Sequence, residues 1–241
     1  MSRPAVSGIS AVLPAFNEAP NLERAVGAVA AALQKWAPSF EIVVVDDGSR
    51  DETPAVLDRL RTEHRTLRIV RHAENRGYGA AVRAGFHAAR LPWVFLIDAD
   101  NQFDPEDVRL LLEHAGNADI VAGYRRQRRD PVLRRLNAWA FFTLARALLG
   151  PLARDVNCAF KLIRRDLLQR MTLHADGALI NTEVLVLARR LQARIVEVPV
   201  QHFPRTAGKP TGSNPRVILR AFAELFDFRA EVNRDQLRKA A

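Results

Sequence analysis

Along the first half of the chain, short apolar runs alternate with stretches of helical spacing. Residues 9–13 form a short, mostly apolar run, and residues 21–36 follow with Leu22, Val26, Val29 and Leu33 at the recurrence of one helix face. Residues 40–45 form a second run, rich in β-branched side chains, that stops at Asp46-Asp47-Gly48-Ser49. Asp51 and Thr53-Pro54 then open another helix, with proline in its first turn. Apolar runs at 67–70, 93–97 and 120–122 continue the strand series, and helices are expected near 79–89 and 105–114.

Continuous apolar strands separated by helices predict an α/β domain, its mostly parallel central sheet covered by helices on both faces. In such sheets ligands bind beyond the carboxyl ends of the strands. Here those ends carry Asn17-Glu18, Asp46-Asp47, Asp98 with Asp100, and Arg125-Arg126. Four polar clusters at consecutive strand ends are expected to converge on one crevice.

Beyond residue 125 the pattern changes. Arg125, Arg126, Arg128, Arg129, Arg134 and Arg135 lead into an apolar helix at 136–149 that contains Trp139, Phe141 and Phe142. Strands are expected at 156–163 and 195–200, with a helix at 182–191 between them. Residues 202–214 read as a loop, punctuated by Pro204, Gly208, Pro210 and Gly212, and an amphipathic helix is expected near 216–228.

With 241 residues, 48% of them hydrophobic, the chain can bury a substantial core without disulfides. Its one cysteine, Cys158, has no partner in the chain, and no Cys/His cluster points to zinc. A reducing compartment is the expectation. Residues 1–10 lack the basic and apolar segments of a signal peptide. No uninterrupted apolar stretch reaches the roughly 18–20 residues that span a bilayer; the nearest, at 136–149, is broken by Asn137 and Arg146. The net charge of +9 favours polyanionic partners. Nucleic acid is not expected among them, because no binding motif is present and only three Trp and two Tyr could stack bases.

Asp98-Ala99-Asp100-Asn101-Gln102 is the most informative segment. It follows the apolar run at 93–97, and in extended backbone residues two apart point to one side. Asp98, Asp100 and Gln102 are therefore expected to face one point, an oxygen-ligand set suited to Mg²⁺ or Mn²⁺ with phosphate oxygens and water. The plainer alternative is a turn in which Asp98 caps the helix near Pro105. Asp46-Asp47-Gly48-Ser49 can accept hydrogen bonds from a base or a ribose, or form an Asp-Gly turn with Asp51 as helix cap. Asn75-Arg76-Gly77-Tyr78-Gly79 opens a helix, where glycines allow close backbone approach and the helix start favours an anion. It is not the dinucleotide fingerprint, since Val82 stands in place of the third glycine, and no GxxxxGK loop exists.

In this order, these pieces resemble glycosyltransferase family 2, whose members have the GT-A fold, a Rossmann-like nucleotide-sugar-binding fold. The resemblance runs from about residue 10 to about residue 225. Within the family it is closest to the polyprenyl-phosphate, dolichyl-phosphate mannose synthase-like branch, on Asp155-Val156-Asn157-Cys158-Ala159-Phe160-Lys161 and the segment 199–208. The resemblance implies one domain over 1–229, with a donor half at about 8–125, an acceptor and membrane-facing half at about 126–229, and a tail at 230–241.

By the same resemblance Pro14, Phe16, Glu18 and Asp47 would hold the nucleoside, with Gly77 and Gly79 beside the donor. Asp98, Asp100 and Gln102 would form the metal and donor-phosphate site, with Arg125 near the phosphates. Arg154, Cys158 and Arg205 fall where the branch places groups around the acceptor phosphate, although Cys158-Ala159 replaces the usual Ser-Gly. A thiol donates a weaker hydrogen bond than a hydroxyl.

The reaction implied is an inverting transfer of a hexose, from a donor of GDP-mannose or UDP-glucose type, to a polyprenyl or dolichyl phosphate. Asp100, Arg125, Arg154 and Arg205 would carry its catalysis. An anionic acceptor needs no general base; a soluble hydroxyl acceptor would need one, with Asp155 or Glu183 available. Each has a plainer reading, Asp155 as an arginine's partner and Glu183 as a first-turn helix residue. A non-catalytic nucleotide-sugar-binding protein is the alternative of another class. The helices at 136–149 and 216–228 carry apolar residues beside arginines, which suits peripheral contact with the cytoplasmic face of a membrane. A membrane-protein partner is a further expectation.

Overall fold

Every residue of the strand Ile9–Ala15 (β1) is buried, which a central strand with helices on both faces requires. Side chains alternate between two cores. Ile9, Ala11 and Leu13 face the helix Ala19–Trp36 (α1) and its stripe of Leu22, Val26, Val29 and Leu33; Val12 faces the other way, toward Val82 and Phe86. Burying each large aliphatic side chain stabilises the fold by about 1.5–3 kcal/mol.

This computed structural model describes residues 6–126, 132–150, 153–205, 207, 222–230 and 232. The first half continues through β2 (Phe40–Asp46), α2 (Thr53–Glu63), β3 (Leu67–Arg71), α3 (Tyr78–Ala88) and β4 (Trp93–Ile97). A short 3₁₀ turn at Pro105–Asp107, capped by the Asp104 carboxylate and not by Asp98, leads into α4 (Val108–Ala115). β5 (Ile120–Arg125), α5 (Val132–Leu149), β6 (Phe160–Arg164), α6 (Arg165–Leu168), α7 (Ile180–Arg190) and β7 (Ile195–Val200) follow. Residues 222–230 are helical.

The seven strands form one sheet in the order β3-β2-β1-β4-β6-β5-β7. β6 alone runs antiparallel to its neighbours β4 and β5, so the sheet is mostly parallel, as the alternating pattern predicts. Reversal puts the start of β6 beside the end of β4, with Phe160 opposite Ile97. The chain entering β6 thus shares an edge with the carboxyl ends of the parallel strands.

Two expectations are corrected. The strand placed at 156–163 begins only at Phe160, because the carbonyls of Val156 and Cys158 accept from the Lys161 ammonium and not from a neighbouring strand. The helix placed at 136–149 starts earlier, at Val132. Its Phe141 is buried and meets Phe222 edge-to-face at 5.6 Å, a core contact and not a membrane-facing one. The side chain of Trp139, Arg128 and Arg129, the side chains of Arg134 and Arg135, and the glycine-rich part of 208–214 lie outside the described residues, as do residues 216–221 of the last expected helix.

Candidate functional site

The polar clusters lie along the edge where β1, β2, β4 and β5 end and β6 begins. At the end of β1 the chain turns through Asn17, whose φ of 54° is tolerated by asparagine. Asn17 and the turn after β2 clasp each other: the Asn17 amide donates to Ser49 Oγ, and the Arg50 amide to Asn17 Oδ1, both at 2.9 Å. Glu18 starts α1, and its backbone amide donates to Thr53 Oγ1 at 2.9 Å. Pro14 is buried within β1, and Phe16 is half-buried just beyond it.

Asp98 to Gln102 is a turn, not the extended segment that alternation requires. β4 stops at Ile97, and Asn101 sits at φ 59°. Asp100 Oδ1 accepts the Gln102 amide at 3.1 Å, and the Gln102 side chain donates to the Phe203 carbonyl at 3.1 Å. The three groups therefore do not point one way: the turn brings the two aspartates together, and Gln102 ties the segment to the loop after β7.

The electrostatics of this corner are unbalanced. Burial first, then the neighbouring charge of Asp100, push the Asp98 carboxyl up to about 7, with Glu18 adding in the same direction. Burial also raises Asp100. Asp98 Oδ1 is buried with no hydrogen-bond partner, which leaves an acceptor without a donor. Arg205 brings a cation to Glu18 and Asp100. Its guanidinium bonds Glu18 Oε1, lies 3.6 Å from Asp100 Oδ2, and donates from Nε to the Ala207 carbonyl at 2.6 Å. Asn21 completes the corner, donating to Glu18 Oε2 at 2.6 Å and to the Ala207 carbonyl at 3.3 Å.

Asp47 is oriented by the start of α3. Its carboxylate accepts the amides of Arg76 and Gly77 at 3.0 and 2.8 Å, and shares a hydrogen bond with His72 Nδ1 at 2.6 Å. The anion at this helix start is thus the protein's own. Gly77, at φ 105°, needs to be glycine for conformation. Gly79 needs to be glycine for space, since a Cβ there would lie 2.3 Å from the Ala175 carbonyl oxygen. Both serve packing of the 72–79 segment against Asp47 and the 175–177 turn.

Arg125, at the end of β5, forms a two-pronged ion pair with Asp155, at 2.7 and 2.8 Å, with 11% and 5% of the side chains exposed. Asp155 also accepts the Arg125 amide at 3.3 Å. Glu183, in the first turn of α7, accepts the amides of His174 and Ala175 at 2.8 and 3.0 Å. Both oxygens of each candidate base are hydrogen-bonded, as the plainer readings of Asp155 and Glu183 anticipate. Arg154 is exposed beside this pair, its guanidinium 5.2 Å above the Tyr124 ring. The structure brings Glu18, Asp98, Asp100 and Arg205 together; Arg154 joins Arg125 and Asp155 at the end of β5.

Cys158 is 0% exposed and packs in the core. Burial pushes its thiol up to about 12. A group so placed does not reach a solvent-borne acceptor, which corrects the expectation of an acceptor contact from its side chain. Alkylation by iodoacetamide at pH 8 is expected to be negligible in the folded protein, four decades in proton activity below that value, and stoichiometric in denaturant; rapid labelling of native protein, followed by mass spectrometry, would contradict the buried placement.

Three polar residues lie behind the site: the half-buried Tyr78 and the buried Lys161, which the motifs contain without giving them a role, and the buried Asn181, which no motif contains. The signal in the sequence is the polar residue in an apolar setting: Lys161 inside Phe160–Arg164, and Asn181 at the start of a helix that is buried along most of its length.

The model of the family described as "Glycosyl transferase family 2" matches residues 10–172. The chain is similar to the undecaprenyl-phosphate 4-deoxy-4-formamido-L-arabinose transferase of Edwardsiella ictaluri, with 31% identity over 204 residues, covering 83% of this chain and 62% of that protein. It is also similar to glycosyltransferase AglD of Haloferax volcanii, with 32% identity over 207 residues, covering 82% of this chain and 33% of that protein. The chain thus spans less than two thirds of the length of either relative.

Among solved structures, glucosyl-3-phosphoglycerate synthase from Mycobacterium tuberculosis, in complex with Mn²⁺, uridine-diphosphate-glucose and phosphoglyceric acid, superposes with a TM-score of 0.71 at 20% identity, covering 93% of this chain and 80% of that one. Mannosyl-3-phosphoglycerate synthase from Rubrobacter xylanophilus gives 0.70 at 19% identity, covering 95% and 75%. These likenesses establish the GT-A architecture. With the family model matching well over half of its residues, on a sheet of that architecture, the chain belongs to glycosyltransferase family 2.

Proposed function

We propose that this chain transfers a hexose from a nucleoside-diphosphate sugar to the phosphate of a polyprenyl phosphate, with inversion at the anomeric carbon. The observation that carries this reading is the cluster of Glu18, Asp98 and Asp100 at the sheet edge, with a buried Asp98 oxygen that lacks a donor. Such a corner calls for a cation. Among the described residues no three His, Cys, Asp or Glu side chains gather closely enough to hold a metal alone. Asp98 and Asp100 fit Mg²⁺ or Mn²⁺ as a partial set, to be completed by diphosphate oxygens and water. When bound, the ion would neutralise the charge that builds on the departing nucleoside diphosphate.

Around that step the protein's own groups divide the work. Pro14, Phe16 and Glu18 line the donor end, with Gln102 holding the carboxylate turn to the loop after β7. Asp47, Gly77 and Gly79 shape the floor of the donor site from beneath. Arg205, now on Glu18 and Asp100, swings to the phosphates when the donor brings its own charge. Arg154, exposed over the Tyr124 ring, takes the acceptor phosphate, and Arg125 acts through Asp155 to fix the loop that carries it.

The acceptor's charge decides between the readings. A polyprenyl phosphate is anionic near neutral pH and attacks without help, whereas a hydroxyl needs a base. Asp155 and Glu183 are both fully engaged. Mere binding of a nucleotide sugar would not need paired aspartates next to a mobile-length cation such as arginine.

The relatives' names supply the lipid class: that of Edwardsiella ictaluri is an undecaprenyl-phosphate transferase. A lipid acceptor implies peripheral contact with a membrane, which we place on the cytoplasmic face. Among the described residues, no helix is long and apolar enough to cross one.

Transfer of labelled sugar from GDP-mannose, UDP-glucose and related donors into organic-extractable lipid, with polyprenyl phosphate and Mg²⁺ or Mn²⁺, tests the reading. Metal-dependent label in the lipid phase is expected. Donor binding without lipid label would redirect the search to a soluble hydroxyl acceptor.

A further inference from the structure

A line of polar side chains, two buried and one half-buried, runs from the interior of the sheet toward Asp98. Lys161 lies in β6 between apolar neighbours; by strand alternation it shares a face with Ile163, inside the second core. It is only 1% exposed. Its ammonium donates to the carbonyls of Val156 (3.2 Å) and Cys158, and to Asn181 Oδ1 at 3.0 Å, so all three N–H groups are used. Asn181, at the start of α7, donates in turn to the Tyr78 hydroxyl at 3.5 Å. That hydroxyl, on the first residue of α3, adjoins the Asp98 carboxylate.

The donors point one way, from Lys161 through Asn181 to the Tyr78 hydroxyl, which stands next to Asp98. The positive group stands at one end and the carboxylate at the other, an arrangement in which each bond polarises the next. Burying an ammonium is costly, and a methionine would fill the same space. Core packing alone therefore does not explain the lysine. Its other two bonds hold the main chain of the 153–158 loop, which also carries Arg154 and the Asp155 partner of Arg125.

We propose that Tyr78, Asn181 and Lys161 are positioning residues that aim Asp98 at the cation and diphosphate of the donor, and that Lys161 locks this aim to the loop on the acceptor side. The inference rests on the donor site proposed above. Groups that orient a metal-binding carboxylate from behind typically change affinity for the metal by about 10–100-fold when removed.

The test is Mn²⁺ binding to the full chain in the presence of UDP or GDP, read from the loss of the free-ion EPR signal, with thermal melting measured without metal. Tyr78→Phe removes one oxygen and keeps the ring. It is expected to weaken Mn²⁺ binding by at least about tenfold, while the metal-free melting temperature stays near wild type. Asn181→Leu is expected to move binding in the same direction. Lys161→Met is expected to weaken Mn²⁺ binding and also raise KM for polyprenyl phosphate more than it lowers kcat; should it fail to fold, the other two variants decide. If both Tyr78→Phe and Asn181→Leu bind Mn²⁺ as wild type does, the positioning role is overturned while the donor site stands. If wild type binds no Mn²⁺ with either nucleotide, the donor-site reading falls and this inference with it.

Discussion

Asp100→Ala is expected to lower sugar transfer by about 10²–10³-fold, the usual cost of removing one group that stabilises developing charge, while the protein melts at or above the wild-type temperature. The two halves of this result come from the same physics. Burial raises the Asp100 carboxyl, so the folded state holds that charge at a disadvantage, and its alanine variant is relieved of it. Little structure depends on the side chain: Oδ1 accepts one local amide, and Arg205 keeps its bond to Glu18 when Asp100 is gone. Activity in the lipid-extraction assay and melting by calorimetry should therefore move apart. Loss of folding together with activity would make Asp100 a structural carboxylate and remove it from the site.

Asp155→Asn is expected to do the reverse. The Arg125 guanidinium is left in a nearly buried place without its counter-charge, and breaking such a pair by removing one partner costs about 3–5 kcal/mol. The denaturation midpoint should fall sharply. Protein that remains folded is expected to keep a kcat close to wild type, because an anionic acceptor needs no base, while KM for the acceptor rises as the loop carrying Arg154 loosens. A well-folded Asp155→Asn variant with abolished turnover would instead make Asp155 the base for a hydroxyl acceptor. Comparing the two aspartate variants separates a carboxylate that serves chemistry from one that serves architecture.

The layered fold was legible because its strands are buried on both sides. Residues 9–13, 40–45 and 93–97 carry apolar runs, interrupted only by Ser10 and Glu41, that water-facing strands could not sustain, and they appear as β1, β2 and β4. The direction of β6 was not legible: an apolar strand looks the same run forward or backward, and its start was obscured by apolar residues at 156, 158 and 159 that belong to a loop. The Asp98–Gln102 segment stood out by composition and place, yet its geometry did not follow from strand alternation, since the left-handed residue Asn101 bends it. Asp47 and Gly77 were marked as site residues separately, and only the fold reveals that they bind each other. Lys161 and Asn181 are 20 positions apart, and their contact depends on how β6 and α7 are laid side by side, information that no local pattern contains.

Lys161 grips its loop through the carbonyl oxygens of Val156 and Cys158, groups that every amino acid carries. The anchor is therefore blind to the side chains it holds. Descendants of this chain could exchange those side chains, trading one acceptor for another, while the loop keeps its seat against the donor site. The lysine has no such latitude, so change in substrate choice is channelled into the loop and away from the strand behind it.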